Sequence, residues 1–372
     1  MSTVLDFRAV DLTDRDSAPA HPLPEARTSP PGYGRGKRWM ARMLNRCGGV
    51  AALRRWNRTG QMTIPILAYH RVFESGPVDR FPYDIELVSA DRARFEWQMG
   101  YLKTHYNPIR FSDLLASFDG QVELPPRPVI VTFDDGYADN HTHAWPILRK
   151  LGVPATVFLA TGYIGGRVTF WYDRLAHSIL RTRKTALSLL GVGEHPIPGA
   201  PSERRRLLAR LLRLIKESSN SLRLTWLCEI EEQLSDVPPS EHDPRSRPLD
   251  WSQVREMAES GIEFGSHTVS HPILSRCSPE ELQFELAESF ATLGRHVDRF
   301  SPVLSYPVGG PAAFNDRVID EARCCGYRLA ASYIHGGNTL SRLDRYALRR
   351  IHVERYHDAD HFAAMLESPA WF

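Results

Sequence analysis

Short apolar runs rich in β-branched residues alternate along the chain with stretches whose apolar positions recur at helical spacing. The run Val129-Ile130-Val131-Thr132-Phe133 has no polar alternation and predicts a central strand covered on both faces. Similar runs predict strands at 64–69, 107–111, 155–160, 262–264, 303–306, 327–332 and 346–353. Between them, 90–106 carries Phe95, Met99 and Leu102 on one helical face, and further helices are expected from Ser112 as N-cap, over 139–150, from Asp250 to Ser260, over 278–296 and over 315–326. Ser278-Pro279-Glu280-Glu281 is a helix start with serine as cap and proline at the first position. Strands alternating with helices imply a parallel sheet, and this number of units suggests an α/β barrel.

Three stretches break the alternation. Residues 1–34 are rich in Pro, Ala, Asp and Ser and read as a disordered leader. Residues 35–61 form a basic segment. Arg35, Lys37, Arg38, Arg42, Arg46, Arg54, Arg55 and Arg58 are interleaved with Trp39, Met40, Met43, Leu44, Leu53 and Trp56, with no acid through Arg58 and with Gly48-Gly49 dividing two short helices. Such a segment suits peripheral contact of residues 35–58 with an anionic membrane, or a helical lead-in that packs on the barrel with its basic face solvated. The main domain then covers 62–372, interrupted at about 170–248 by a charge-dense helical insertion that returns through a Pro-containing linker, 235–247.

Composition narrows the function classes. The chain has 372 residues, a net charge of +2, 42% hydrophobic and 24% charged residues, which is ordinary for a globular protein and gives no electrostatic case for a nucleic-acid partner. The five cysteines form no C-x-x-C pair, which argues against a disulfide framework and a cysteine zinc site. No apolar run reaches the length of about 18 residues needed to span a bilayer, and 1–16 lacks the pattern of a secretory signal, so a cytoplasmic location, with or without membrane association, is the expectation.

The chemistry concentrates in two places. The strand 129–133 runs into Asp134-Asp135-Gly136. Neighbouring side chains on a regular strand point to opposite faces, so both carboxylates reach one pocket only if the chain turns here, and Gly136 permits the turn. The second place is His267-Thr268-Val269-Ser270-His271, two histidines four apart, which on a helical turn would share one face and one ion. A carboxylate added to two imidazoles leaves open positions for water and substrate, as a catalytic metal site requires.

With these motifs the chain resembles the polysaccharide deacetylases, metal-dependent carbohydrate esterases. The resemblance rests on Thr132-Phe133-Asp134-Asp135-Gly136 and His267 to His271. It extends through Leu67-Ala68-Tyr69-His70-Arg71, Pro154 to Leu159 and Ser305-Tyr306-Pro307-Val308-Gly309, and looks most like members associated with bacterial exopolysaccharides. It implies a distorted parallel (β/α) barrel of about seven strands, here with a helical insertion. It also implies removal of N-acetyl, or O-acetyl, groups from a polysaccharide or glycan. The divalent metal would be held by Asp135, His267 and His271: zinc, with cobalt, nickel or iron suited to the same ligands. Asp134 would be the general base and the Val308 N–H an oxyanion donor.

Two departures leave alternatives open. The family's third motif often begins with an arginine that pairs with the base; Ser305 stands there, and Arg349 or Arg350 is positioned to supply the charge. The family's late acid histidine matches His352 only out of register. His70, Tyr306 and Trp171 are candidate substrate contacts, with Asp173 beside Trp171, each against a reading as a structural residue. His141 and His143 are read as surface residues. The same barrel without turnover, a carbohydrate-binding or scaffold protein, is the alternative. A non-haem iron oxygenase shares the ligand types, but its His-x-Asp…His order is absent.

Overall fold

The computed structural model describes residues 35–59, 62–73, 81–166, 168–238 and 243–372; the expected leader, 1–34, lies outside them, as does part of the expected return linker. Seven strands close a parallel barrel: β1 (Ile66–Tyr69), β2 (Pro128–Phe133), β3 (Thr156–Leu159), β4 (Glu263–Ser266), β5 (Val303–Ser305), β6 (Leu329–His335) and β7 (Leu348–His352). Each pairs with the next in sequence, and β7 closes onto β1 through Ile351 opposite Leu67. The expected second strand shrinks to Asn107–Pro108, which adds to the start of β2.

Alternation along the strands divides two cores. Ile66, Ile130, Phe158, Val303, Leu329, Ala331 and Leu348 form one cluster inside the barrel. Val129, Val131 and Phe133 face outward against the surrounding helices. These helices include α1 (Arg35–Arg46), α2 (Gly49–Thr59), α3 (Arg92–His105), α4 (Phe111–Phe118) and α5 (Trp145–Leu151). Phe111, Leu114 and Leu115 of α4 join the interior cluster near the strand beginnings and plug that end of the barrel. The cap of α4 lies two residues earlier than expected. Glu263 accepts from the Phe111 and Ser112 N–H groups, and Asp113 reaches back to the Arg110 N–H, so Arg110 rather than Ser112 is the cap position.

The insertion opens with α6 (Trp171–Arg181) and continues through α7 (Pro201–Glu217) and α8 (Asn220–Gln233). Between α6 and α7 lies an antiparallel hairpin, Ala186–Leu189 with Gly193–Pro196, which helical periodicity did not reveal. Its own apolar cluster unites Ile179, Leu187, Leu207, Leu211, Trp226 and Ile230. Back in the barrel, α9 (Trp251–Glu259) starts on an Asp250 cap and α10 (Pro279–His296) on a Ser278 cap, both as expected. The remaining helices are α11 (Asp316–Cys324), capped by Asn315, and α12 (Ala359–Glu367). Before α5, 140–144 form one π-helical turn. His141 and His143 are half-buried there rather than free on the surface: His141 stacks on Trp145 and bonds Glu256 at 2.9 Å.

Candidate functional site

The carboxyl ends of β1, β2, β4, β5 and β7 meet at one rim, where a parallel barrel keeps its chemistry. Asp134 carries on the inward parity of Ile130 and Thr132, and its N–H extends the ladder to the Tyr69 carbonyl at 2.9 Å. The chain then turns. Asp135 has φ +75° and Gly136 φ +88°, so Asp135 leaves the strand and presents its carboxylate to the same rim. A Cβ on Gly136 would stand 2.6 Å from Leu159 Cδ2 and push that side chain aside, so φ is the main reason for glycine there.

The histidine pair arrives differently from the expectation. His267 to His271 is a loop after β4, not a helical turn, and Thr268 (φ +69°) and His271 (φ +58°) adopt left-handed conformations. Side chains fix this costly backbone. Glu285 of α10, itself buried, accepts from the Val269 N–H (2.7 Å), the Ser270 N–H (2.9 Å) and the Ser270 hydroxyl (2.5 Å). The Thr268 hydroxyl accepts from the His271 N–H at 3.1 Å. The result is a compact donor set: one ligand atom each from Asp135, His267 and His271 lies within 4.8 Å of the others.

That set fits a divalent metal. Asp135 Oδ1 is buried with no hydrogen-bond partner among the described residues, 3.5 Å from His267 Nε2 and 3.4 Å from His271 Nε2. His267 Nδ1 lies 2.7 Å from the Ser305 carbonyl, which fixes the proton on Nδ1 and leaves the Nε2 lone pair facing inward. Burial, reinforced by the charge of Asp134, pushes the Asp135 carboxyl up, and burial pushes both histidines down. A cation among them would reverse the cost of the carboxylate's charge.

Asp134 is held otherwise. Burial would raise its pKa, but Arg350, then His267, outweigh it and hold the carboxyl well below the usual carboxylate range. Arg350, fully buried, points inward from β7 and binds both oxygens at 2.7 and 2.8 Å, while also donating to Ser305 Oγ at 3.0 Å and to the Ser332 carbonyl at 2.8 Å. The charge missing from the third motif is therefore supplied by Arg350. Arg349 is exposed on the other strand face. His70 stands over the pair with Nε2 4.0 Å from Asp134 Oδ2; burial holds its pKa down to about 4 despite that carboxylate.

Other candidates fall elsewhere. Tyr306 is buried on the outer face of β5, stacked on Phe314 and donating to the Tyr346 carbonyl, because alternation turns Ser305 inward and Tyr306 away. Trp171 is buried and donates to the His271 carbonyl at 3.3 Å, so it lines no sugar groove. Asp173 accepts from the Tyr137 hydroxyl at 2.8 Å, and burial raises its carboxyl to about 7. His352 does not join the cluster: its Nε2 bonds the Tyr333 carbonyl at 3.0 Å and its ring stacks on Tyr333. Val308, φ +61°, sits in the loop after β5 beside Gly309, whose missing Cβ lets the Tyr333 N–H approach. Sequence reading gave Glu285 and Tyr172 no role. Nothing local marks Glu285, whereas Tyr172 sits within an aromatic run, Phe170-Trp171-Tyr172, next to the candidate Trp171.

Comparisons with known proteins bear on the family and the fold. The YxkH protein of Bacillus subtilis (strain 168) is 23% identical over 306 residues, covering 82% of this chain and 76% of YxkH. The poly-β-1,6-N-acetyl-D-glucosamine N-deacetylase of Staphylococcus aureus (strain MSSA476) is 31% identical over 105 residues, 27% of this chain and 36% of that protein. The Streptococcus pyogenes deacetylase PplD, solved with acetate, superposes with a TM-score of 0.54 at 19% identity over 83% of this chain and 100% of PplD, a likeness of fold. The polysaccharide deacetylase family profile matches residues 121–330, from before β2 into β6 and across both motifs. With more than half of the sequence inside that match, the chain belongs to the polysaccharide deacetylase family, whose members are metal-dependent.

Proposed function

We propose that this protein hydrolyses the acetamide of N-acetylated sugars in a bacterial exopolysaccharide, releasing acetate and leaving a free amine on the polymer. The observation that carries this is the convergence at one rim of the Asp135–His267–His271 cluster with an ionised, arginine-paired Asp134. The staphylococcal relative, named for poly-N-acetylglucosamine, supports the substrate class. Zinc is the proposed metal, since two imidazoles and a carboxylate suit it and leave coordination open. When bound, it would polarise the acetyl oxygen and make water more acidic.

The chain's own groups divide the remaining work. Asp134 is the general base, kept ionised by Arg350 and oriented by Ser305, whose hydroxyl lies 3.2 Å from Oδ1. The Val308 N–H is the oxyanion donor. His70, rather than His352, is the general acid. It is neutral before reaction, and its Nε2 stands 4.0 Å from Asp134 Oδ2; closing that gap to hydrogen-bond length lets Asp134 relay to it the proton taken from water, which His70 then gives to the leaving nitrogen as the C–N bond breaks. His70→Ala is expected to lower kcat by about 10²–10⁴-fold with metal content unchanged, whereas His352→Ala stays within about tenfold. The reverse ranking in steady-state rates would assign the acid to His352. A cavity of about 610 Å³ beside the rim, lined by Val308, Gly310 to Ala313, Ile273 and the α7 face carrying Leu208, Leu212 and Lys216, is the proposed glycan cleft; it meets the site through Val308.

The test is the product balance on N-acetylglucosamine oligomers. Acetate and new amine in equal amounts support the reading. Acetate without amine from an O-acetylated polymer would make it an O-deacetylase, and binding without either product would make it a scaffold.

The basic segment has two sides. Arg54 and Asn57 bond Glu367, and Arg42 pairs with Asp358, so α1 and α2 dock on the C-terminal end of the chain. Their outer side leaves Trp39 66%, Met43 46% and Trp56 76% exposed, beside exposed Arg46 and Arg55. No helix among the described residues is long and apolar enough to cross a membrane. We propose that this side lies on anionic lipid. Co-sedimentation with vesicles containing phosphatidylglycerol, lost in high salt and in Trp39→Ala/Trp56→Ala, is the expected outcome, and equal pelleting with neutral vesicles would contradict it.

A further inference from the structure

The insertion does more than wall the cavity. Its first helical turn sits against the metal-binding loop. Trp171 Nε1 donates to the His271 carbonyl, and the Tyr172 ring meets the His271 ring edge-on at 5.2 Å between centroids. Phe170 stacks under Tyr172 with an interplanar angle of 5°, fixing that ring. From α8, Arg223 reaches Ser270 Oγ at 3.5 Å and lies over the Trp171 indole. The Tyr172 hydroxyl is buried and finds no partner of regular hydrogen-bond geometry among the described residues, although it is near enough to Asp135 to favour the ionised carboxylate. An isolated buried hydroxyl is costly. Asp135 Oδ1 also lacks a partner among the described residues, and it lies 3.4 Å from Nε2 of His271, the ring that Tyr172 meets.

We propose that Tyr172 is a positioning residue of the metal centre, its hydroxyl donating to the Asp135 carboxylate and its ring holding His271, so that the insertion and the barrel build the site together. This rests on the Asp135–His267–His271 site holding a metal, but not on which glycan is cleaved. In the metal-free chain the hydroxyl contributes little, because the cation that draws the carboxylate into place is what aligns the hydrogen bond. A group with only a packing role would behave in the opposite way, supporting the metal-free fold and leaving metal affinity alone.

The experiment measures zinc affinity by chelator competition and the visible band of the cobalt-loaded protein, on wild type, Tyr172→Phe, Tyr172→Ala and, as control, Arg210→Ala on the exposed face of α7. Loss of an outer-shell partner lowers metal affinity by about 10–100-fold. Tyr172→Phe is expected to weaken zinc by about tenfold and to shift the cobalt band, while its metal-free melting temperature equals or exceeds that of wild type. Tyr172→Ala weakens zinc further, and Arg210→Ala matches wild type. Zinc affinity of Tyr172→Phe within twofold of wild type with an unchanged cobalt band would overturn the proposal, as would a lowered metal-free melting temperature with affinity retained. Wild type that binds zinc but releases no acetate leaves this inference standing and removes the proposed substrate instead. Wild type that binds no zinc removes both.

Discussion

Asp135→Ala is expected to abolish metal binding and to lower the rate of acetate release by about three orders of magnitude or more, since metal stabilisation of the developing charge is worth several kcal/mol and each 1.36 kcal/mol is tenfold. The same substitution should not harm the metal-free fold. Asp135 is buried, and burial together with Asp134 makes its charge unfavourable. Removing it relieves that cost. The variant should therefore melt at or above the wild-type temperature without metal, and should lack the rise in melting temperature that a bound ion gives the wild type. Paired melts with and without zinc check both signs. A zinc-dependent rise that survives the substitution would move the metal site elsewhere.

Arg350→Met should have the second largest effect, of a different kind. It leaves Asp134 buried at the centre of the rim without its bidentate partner. Stranding one member of a buried pair costs about 3–5 kcal/mol, which for a chain of this size lowers the melting temperature by on the order of 10 °C. The carboxylate escapes the cost by taking a proton, and a protonated Asp134 cannot serve as the proposed base. Activity therefore falls with stability, even at saturating metal. The pH dependence follows from the sign of the shift. The folded pKa of Asp134 is depressed, so its contribution is present above the unfolded value of about 3.9 and lost as pH falls toward the folded value. The gap in stability between wild type and Arg350→Met should be full at pH 7 and narrow below about pH 4. A gap independent of pH would mean that Arg350 acts through its bond to Ser332 and its packing rather than through Asp134.

The fold was largely legible because strand and helix periods differ. Buried runs such as Val129 to Phe133 and capped helices such as that after Ser278 carry their own boundaries. Asp134 and Asp135 were legible as a pair because a turn at Gly136 is the local means of bringing adjacent acids together. Arg350 could be narrowed only to two neighbours, since choosing between Arg349 and Arg350 needs the inward parity of β7, set by Leu348 in the interior cluster. The histidine loop was misread as helical because His-x-x-x-His matches helical spacing. Its left-handed residues are held by Glu285, fourteen positions after His271, a long-range contact with no local signature. Tyr306 and Trp171 were misassigned for a related reason. An aromatic next to a motif is as often its packing as its contact, and only the strand face or the partner of the indole N–H decides.

The most direct test of the central claim is a titration of metal-free protein with zinc, reading acetate release from N-acetylglucosamine oligomers at each addition. A tetrahedral site with two histidines and one carboxylate takes one ion, so release should rise from baseline and reach its plateau at about one equivalent. Full release from protein stripped of metal, or a plateau that never appears although zinc binds, would contradict the account.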